Sequence, residues 1–494
     1  MSESKRAGLA LSKSRYLCGL QCPKLLWLRY NAPEEVPPPD KSSLDIFEQG
    51  HLVGDFAKKI FPDGVEVDHS RSFEYGLTQT EDLLKKRVPI FEAAFKAENC
   101  YFRADILVPS DQNRWDIIEV KSSGDLKDVN NLDVGFQLHA AKKAGLDVRR
   151  CYLALINKNY VRNGDIEPSK LFNMIDLTSS IEEFAKVAEE QIPKMLETIA
   201  SDCCPDPGIG NHCKKPFRCP MFDKCRSFLP ERNVFFLYRG KELPFQLVNA
   251  GIYELAKADV SGLTKHQSIQ VECEKTGQPH IDEGEIYSFL KNIEYPAFYM
   301  DFETWMSAIP MFDGGSPYEI IPFQFSVHEI AKEGSEPKHT SFLYDGVDDP
   351  RPAFMRALMK CIGPKGSIVS YNASFERNIL QKSSEIYPEF AEWFKSLENR
   401  FVDPLILFRS FAYYHPQQNG SCSIKKVLPV ITGQSYESMS IGQGMDASRE
   451  YFRVTFTEDN SDKEKIRKAL EEYCCLDTMA MVDIVGKLRE MCIE

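Results

Sequence analysis

The sequence predicts an α/β protein with two mixed sheets, each flanked by helices. Three observations carry this expectation. Residues 1–230 alternate strand-like with helix-like runs, and residues 293–494 open on an apolar strand and close on a long amphipathic helix. A length of 494 residues at 43% hydrophobic content supplies material for two cores. The 11% aromatic and 27% charged fractions exclude a disordered tail, a collagen-like chain and a small disulfide-stapled module. A formal net charge of −13 disfavours a protein that coats nucleic acid through overall positive charge, and leaves a local basic groove open. No apolar run approaches the roughly 18 residues of a membrane helix. The opening MSESKRAGLALSKSR has no secretory pattern, so the expected location is the cytoplasm, with no membrane partner.

In residues 1–230, the run 44–60 has helical spacing with Leu44, Phe47, Leu52, Phe56 and Ile60 as its apolar side. Residues 101–108 and 115–120 read as strands joined by the polar turn PSDQN, 134–144 as a helix and 151–156 as a buried strand. Residues 231–292 read as a helical linker. Within it, LVNAGIYELAKADVSGLTKHQ suggests a weak helix-hairpin-helix in which backbone amides around Gly251, Ile252 and Leu255 meet a phosphate. In residues 293–494, YPAFYMDFETW, 322–328, the TSFLYD run and 367–371 read as strands. NASFERNIL is a strand-to-helix step, and KALEEYCCLDTMAMVDIV lies on the last helix.

Two groups of acids are candidates for metal chemistry. Glu119 and Lys121 are two apart on one strand and leave the same face, where a hairpin partner brings Asp105 beside them. Two carboxylates offer hard oxygen ligands to Mg²⁺ or Mn²⁺, and the ammonium can steady a phosphate oxygen. Taken alone, this pattern is far more often that of a solvated strand edge. Gln137 opens the next helix, and Lys142, Lys143, Arg149, Arg150, Lys158 and Arg162 give local positive charge.

ADIL, DIIEVKSS and FQLHAAKKAG together resemble the core of the PD-(D/E)XK nuclease superfamily, in its RecB-like branch that carries an iron–sulfur cluster. LSKSRYLCGLQCPKLLWL is similar to the opening of that branch. The resemblance implies that Asp105 and Glu119 bind metal, that Lys121 is the catalytic lysine and that Gln137 is the glutamine of the following helix. Two positions depart from the pattern: Ala141 stands where a tyrosine is usual, and Gly54 where a metal-binding histidine is expected, with His51 one turn earlier.

Fifteen cysteines include five between Cys203 and Cys225, too dense for incidental thiols in a chain without an export signal. Thiolates suit iron–sulfur clusters or zinc. The RecB-like resemblance implies one early and three late ligands, Cys22 with Cys213, Cys219 and Cys225, holding a [4Fe-4S] cluster. Zinc stays the alternative, and Cys18 or Cys204 the substitute ligand. Such a cofactor would close a loop of about 190 residues.

The second group comprises Asp301 and Glu303 on one strand, Glu376 at a helix start, and Tyr473 with Asp477 at i, i+4 on the last helix. Such dispersed acids can converge on two metal ions about 4 Å apart, with the tyrosine hydroxyl orienting a water. D-F-E, N-A-x-F-E and Y-x₃-D, in this order across residues 293–490, resemble the DEDD 3′–5′ exonucleases of the tyrosine subtype, DnaQ-like members of the ribonuclease-H fold. Glu376 replaces the aspartate usual in the second motif, and Asp403 is the reserve ligand. Both halves together resemble bacterial fusions of a RecB-like nuclease with a DnaQ-like exonuclease. That implies phosphodiester hydrolysis of nucleic acid, with DNA favoured over RNA. The competing expectation is a nucleic-acid-binding scaffold whose nuclease folds have decayed around a structural metal cluster.

Overall fold

The computed structural model describes residues 10–258, 260–437, 439–457 and 461–492. It divides the chain into two units. The first runs through Phe228 and also takes in Ser307–Tyr318; the second comprises Leu229–Met306 and continues from Glu319. The stretch expected as a linker therefore packs within the second unit, and residues 307–318, expected in the C-terminal domain, pack with the first. Among the described residues no helix is long and apolar enough to cross a membrane.

The first unit is built on a seven-stranded mixed sheet. Its strands are β1 (Leu11–Ser12), β2 (Val65–Glu66), β3 (Ile90–Ala97), β4 (Cys100–Pro109), β5 (Trp115–Lys121), β6 (Val148–Ile156) and β7 (Phe172–Asp176). The order is β2-β3-β4-β5-β6-β7, with β1 also pairing β4. β3, β4 and β5 run antiparallel, whereas β5 and β6 are parallel. Helices α1 (Lys13–Gln21), α2 (Pro23–Asn31), α3 (Lys41–Lys58), α4 (Phe73–Lys86), α5 (Asp128–Lys143) and α6 (Thr178–Ala200) flank it. Alternation along β5 sends Ile117 into a core with Tyr16, Phe136, Leu153 and Ile192, and Ile118 into an opposite core with Val53, Ile106, Ile156 and Ile309. Glu119 and Lys121 share the parity of Ile117, which directs them toward α5.

The buried side of α3 differs from expectation. Leu44, Phe47 and Leu52 are exposed, while Val53 and Ala57 are fully buried, flanked by Phe56 and Ile60. The stripe 53, 56, 57, 60 is itself an i, i+3, i+4, i+7 series. Its small members let the helix lie close to the sheet, so residue size misled the sequence-based choice of face.

The second unit holds a five-stranded mixed sheet. A short strand β8 (His280–Ile281) precedes it; its own strands are β9 (Ala297–Trp305), β10 (Ile321–Ile330), β11 (Lys338–Leu343), β12 (Ile368–Val369) and β13 (Phe401–Val402). The order is β11-β10-β9-β12-β13; β9 is antiparallel to β10 and parallel to β12. Gly366 (φ 86°) precedes β12, and a Cβ there would stand 1.8 Å from the Pro296 carbonyl oxygen. Only glycine lets this turn press against the start of β9. The helices that matter for the site are α7 (Lys265–Thr276), α8 (Arg351–Cys361), α9 (Ser374–Ile386), α10 (Ile424–Thr432) and α11 (Lys463–Met491). Phe298, Met300, Phe302, Phe354, Leu358 and Leu380 form the core between sheet, α8 and α9.

The middle stretch is stitched to this unit. Strand β8 pairs with Tyr413 and Tyr414, and Gln270 of α7 donates to the Tyr414 hydroxyl at 3.0 Å. The amides of Gly251, Ile252 and Leu255 donate to the carbonyls of Val248, Leu247 and Arg232. All three are consumed inside the protein, so these amides are not offered to a phosphate.

Candidate functional site

The acids of the first unit gather where β4 and β5 part. Beyond the pair Ile106 and Ile118, the Asp105 carboxylate accepts from the Val120 amide at 2.8 Å. Glu119, 1% exposed, accepts from Lys121 Nζ at 2.5 Å, Lys13 Nζ at 2.7 Å and Gln137 Nε2 at 2.6 Å. All four expected residues thus meet. Lys13 and Asp133 join them without having been expected. Lys121 Nζ also reaches Asp133 at 2.6 Å, and Lys13 Nζ stands 3.8 Å from both Asp105 and Asp133. A signal for Asp133 exists in hindsight: it lies one helical turn before Gln137 on α5.

Charge balance differs among the three carboxyls. Burial, then the Glu119 charge, pushes the Asp105 carboxyl up to about 7. Burial opposes the Glu119 charge too, but the ammoniums of Lys121 and Lys13 outweigh it and hold this carboxyl below the usual range. Asp133 is raised by burial and by Glu119. Gln137 Oε1 is buried without a hydrogen-bond partner, which leaves one unused acceptor beside the carboxylates. Gly54 has open space around its Cβ position, and His51 is exposed on α3. Ala141 is fully buried in the core.

The four chosen cysteines also converge. Cys22 ends α1, and Pro23 begins α2 directly after it. Gln21 Nε2 donates to the carbonyls of His212 (2.8 Å) and Phe217 (2.6 Å), and the Trp27 indole donates to the Ser201 carbonyl, holding the late segment against the early helices. The Cys219 amide donates to the Cys213 carbonyl at 2.9 Å. Burial pushes the Cys219 thiol up to about 11, and Cys22, Cys213 and Cys225 all lie close enough to act on it electrostatically. Cys204 is exposed and Cys18 half-buried, and each lies close enough to Cys22 to act on it electrostatically. Four neighbouring soft donors with no disulfide among them fit a thiolate-ligated iron–sulfur or zinc centre.

In the second unit β9 carries Asp301 and Glu303, α9 carries Glu376, and α11 carries Tyr473 and Asp477. The register pairs Ser326 with Asp301 and Gln324 with Glu303, so these acids lie on the sheet beneath α11. Asp301, Glu303 and Cys474 offer ligand atoms within 4.8 Å of one another. Burial raises the Asp301 carboxyl well above its ordinary range, and the Asp477 charge adds to it. Burial raises Glu303 in the same way, with Asp301, Asp477 and Glu376 contributing, and raises Glu376 with Asp301 contributing. Asp477 is raised by burial against hydrogen bonds from Tyr436 (2.6 Å) and Tyr473. The four carboxyls therefore share one desolvated space.

Lys425 of α10 is an ammonium that faces Asp301, Glu303 and Asp477; it donates to the Tyr473 hydroxyl oxygen at 2.9 Å and to the Gly442 carbonyl at 2.5 Å. Glu376 Oε2 is buried without a partner. Asp403 accepts from the amides of Asn372 (2.9 Å) and Leu405 (3.0 Å), so it braces the turn before α9. Lys425, Tyr436 and Cys474 escaped the sequence reading. Only Cys474, beside Tyr473, had a positional hint. Buried carboxyls that repel one another, with one orphaned oxygen, fit divalent cations as missing counter-charge.

Residues 298–423 match the family model of a domain of unknown function, DUF2779. No curated protein matches the chain. The crystal structure of SSO0001 is similar at 10% sequence identity, over 40% of this chain and 89% of that one, with a TM-score of 0.19.

Proposed function

We propose that this chain is a metal-dependent nuclease with two sites, one trimming nucleic-acid strands from the 3′ end. The observation that carries the reading is the convergence of Asp301, Glu303, Glu376 and Asp477 in one buried space with Lys425 as nearby counter-charge. Divalent ions bound there would lower the pKa of a water and stabilise charge on the leaving oxygen. The chain's own residues do the rest. Asp301 and Glu303 are fixed by the paired strands, Asp477 by the Tyr436 hydroxyl, and Tyr473 by Lys425 and Asp477, which sets the phenol beside the carboxyls where exchange of its Asp477 bond would let it orient a water.

For the first unit, Asp105 and Glu119 are the proposed metal ligands, with Lys121 and Gln137 beside them. Cys22, Cys213, Cys219 and Cys225 are the proposed cluster ligands. The competing reading, a decayed nuclease that only binds nucleic acid, is favoured for the first unit by one observation: Glu119 is already engaged by two ammoniums.

The deciding experiment follows end-labelled single- and double-stranded DNA and RNA with Mn²⁺ or Mg²⁺. Shortening from the 3′ end is expected, lost in Asp301→Ala and reduced about 100-fold or more in Tyr473→Phe. Unchanged trimming in Asp301→Ala defeats the assignment. A second activity that survives Asp301→Ala and disappears in Glu119→Ala assigns catalysis to the first unit; its absence favours the decayed reading there.

A further inference from the structure

A second group of side chains with metal-ligating atoms lies under α11, one strand away from the carboxylates. On the antiparallel pair β10 and β11, His328 stands directly opposite His339, with ring centroids 4.5 Å apart and planes inclined by 26°. Cys475 of α11 completes the group. Its sulfur and one nitrogen from each ring all lie within 4.8 Å of one another. His328 is buried, Cys475 half-buried and His339 exposed, so the group opens to water on one side.

Hydroxyls hold the rings in place. Thr478 Oγ1 meets His328 Nδ1 at 2.8 Å and Ser326 Oγ at 2.7 Å, and Ser326 Oγ meets His339 Nε2 at 3.0 Å. This is the kind of outer hydrogen bonding that orients metal-ligating histidines. Burial, with the neighbouring His339 ring, holds the His328 imidazole toward the neutral form that binds metal.

We propose that His328, His339 and Cys475 bind a borderline-soft divalent cation, Zn²⁺ by preference, that clamps α11 to the β10–β11 edge. Two imidazoles and one thiolate match zinc, with a water completing the tetrahedron on the exposed side. The same donors are poor ligands for Mg²⁺ or Mn²⁺, which prefer oxygen. Ligand chemistry thus separates this site from the carboxylates. Binding displaces the Cys475 thiol proton to solvent and changes no oxidation state. The clamp would fix α11 two residues before Asp477.

The test uses the full-length chain stripped of metal and titrated with ZnCl₂, with bound zinc counted per chain, and with CoCl₂ as a spectroscopic probe. The comparison is with His339→Ala, an exposed position where folding is not at stake, and Cys475→Ser. All three proteins keep the four-cysteine cluster, so its metal cancels in the difference. The wild type is expected to bind one Zn²⁺ more than either variant. Its Co²⁺ difference spectrum against each variant is expected to carry thiolate charge-transfer and visible d–d bands. Thr478→Val is expected to weaken binding about 10–100-fold. Equal zinc stoichiometry in the wild type and either variant, or a featureless Co²⁺ difference spectrum, overturns the site. Nuclease activity is not among these readouts, so the result stands independently of the proposed hydrolysis.

Discussion

Replacing Glu376 by glutamine separates the cost of gathering acids from their use. Glu376 is 2% exposed, and its Oε2 atom has no hydrogen-bond partner. Burial and the Asp301 charge both raise its carboxyl well above the ordinary value of 4.5. A group raised in the folded state retains its proton there while the unfolded chain has released it. Stability is therefore intact below the ordinary value and is lost as pH rises through the raised one.

At neutral pH without metal, Glu376→Gln is expected to stabilise the second unit. The variant removes the cost of holding a buried carboxyl either protonated while the unfolded chain is ionised or charged without a partner, a class of cost worth about 1–3 kcal/mol, and its amide keeps one acceptor in place. For a domain of this size each kcal/mol moves the melting temperature by about 2–4 °C. Calorimetry in EDTA between pH 5 and 8 reads the effect. The variant should melt higher, and its melting temperature should fall less steeply with rising pH than that of the wild type. Mn²⁺ reverses the order, since a cation at about 100 times its dissociation constant stabilises the wild type by about 2.7 kcal/mol and the variant by less. A variant that melts lower in EDTA and gains as much from Mn²⁺ as the wild type refutes the account of Glu376 as an uncompensated ligand.

Three further outcomes are expected. Lys13→Met frees Glu119 from one of its two ammoniums, so Mn²⁺ binding by the first unit should tighten about tenfold or more, read by electron paramagnetic resonance in an Asp301→Asn background; unchanged affinity removes Lys13 as a competitor for the cation. Anaerobically purified protein should be brown, and Cys219→Ser should bleach it and lower the first unit's melting temperature; a colourless wild type that holds one zinc per chain more than Cys219→Ser rejects iron–sulfur in favour of zinc. Lys425→Met removes the hydrogen bond to Tyr473 and the ammonium that faces Asp301, Glu303 and Asp477, and should destabilise the metal-free second unit by about 1.5–3 kcal/mol in calorimetry; no loss would mean that the ammonium is not their counter-charge.

Much of the fold was legible because alternation is a local signal. The expected strand at 115–120 appears as Trp115–Lys121, the strand at 322–328 as Ile321–Ile330, and the run opening at YPAF as Ala297–Trp305. Ile90–Ala97 escaped because it is buried on both faces, so IFEAAFKA shows no clean period. The face of α3 was misjudged because size suggested Leu44, Phe47 and Leu52, whereas small Val53 and Ala57 make the contact.

Alone, the order of residues determined which strands alternate, that Glu119 and Lys121 share a face, that Asp301 and Glu303 do the same, and that Tyr473 and Asp477 share a helix side. Those relations follow from periods of 2 and 3.6, which act over a few residues. Only the tertiary structure decided what meets those groups: Lys13 from α1 on Glu119, Lys425 from α10 on Tyr473, Tyr436 on Asp477, and Cys475 beside a cross-strand histidine pair. These partners lie 41 to 147 residues apart in the chain. Packing alone sets such meetings, because no local periodicity extends across intervening elements.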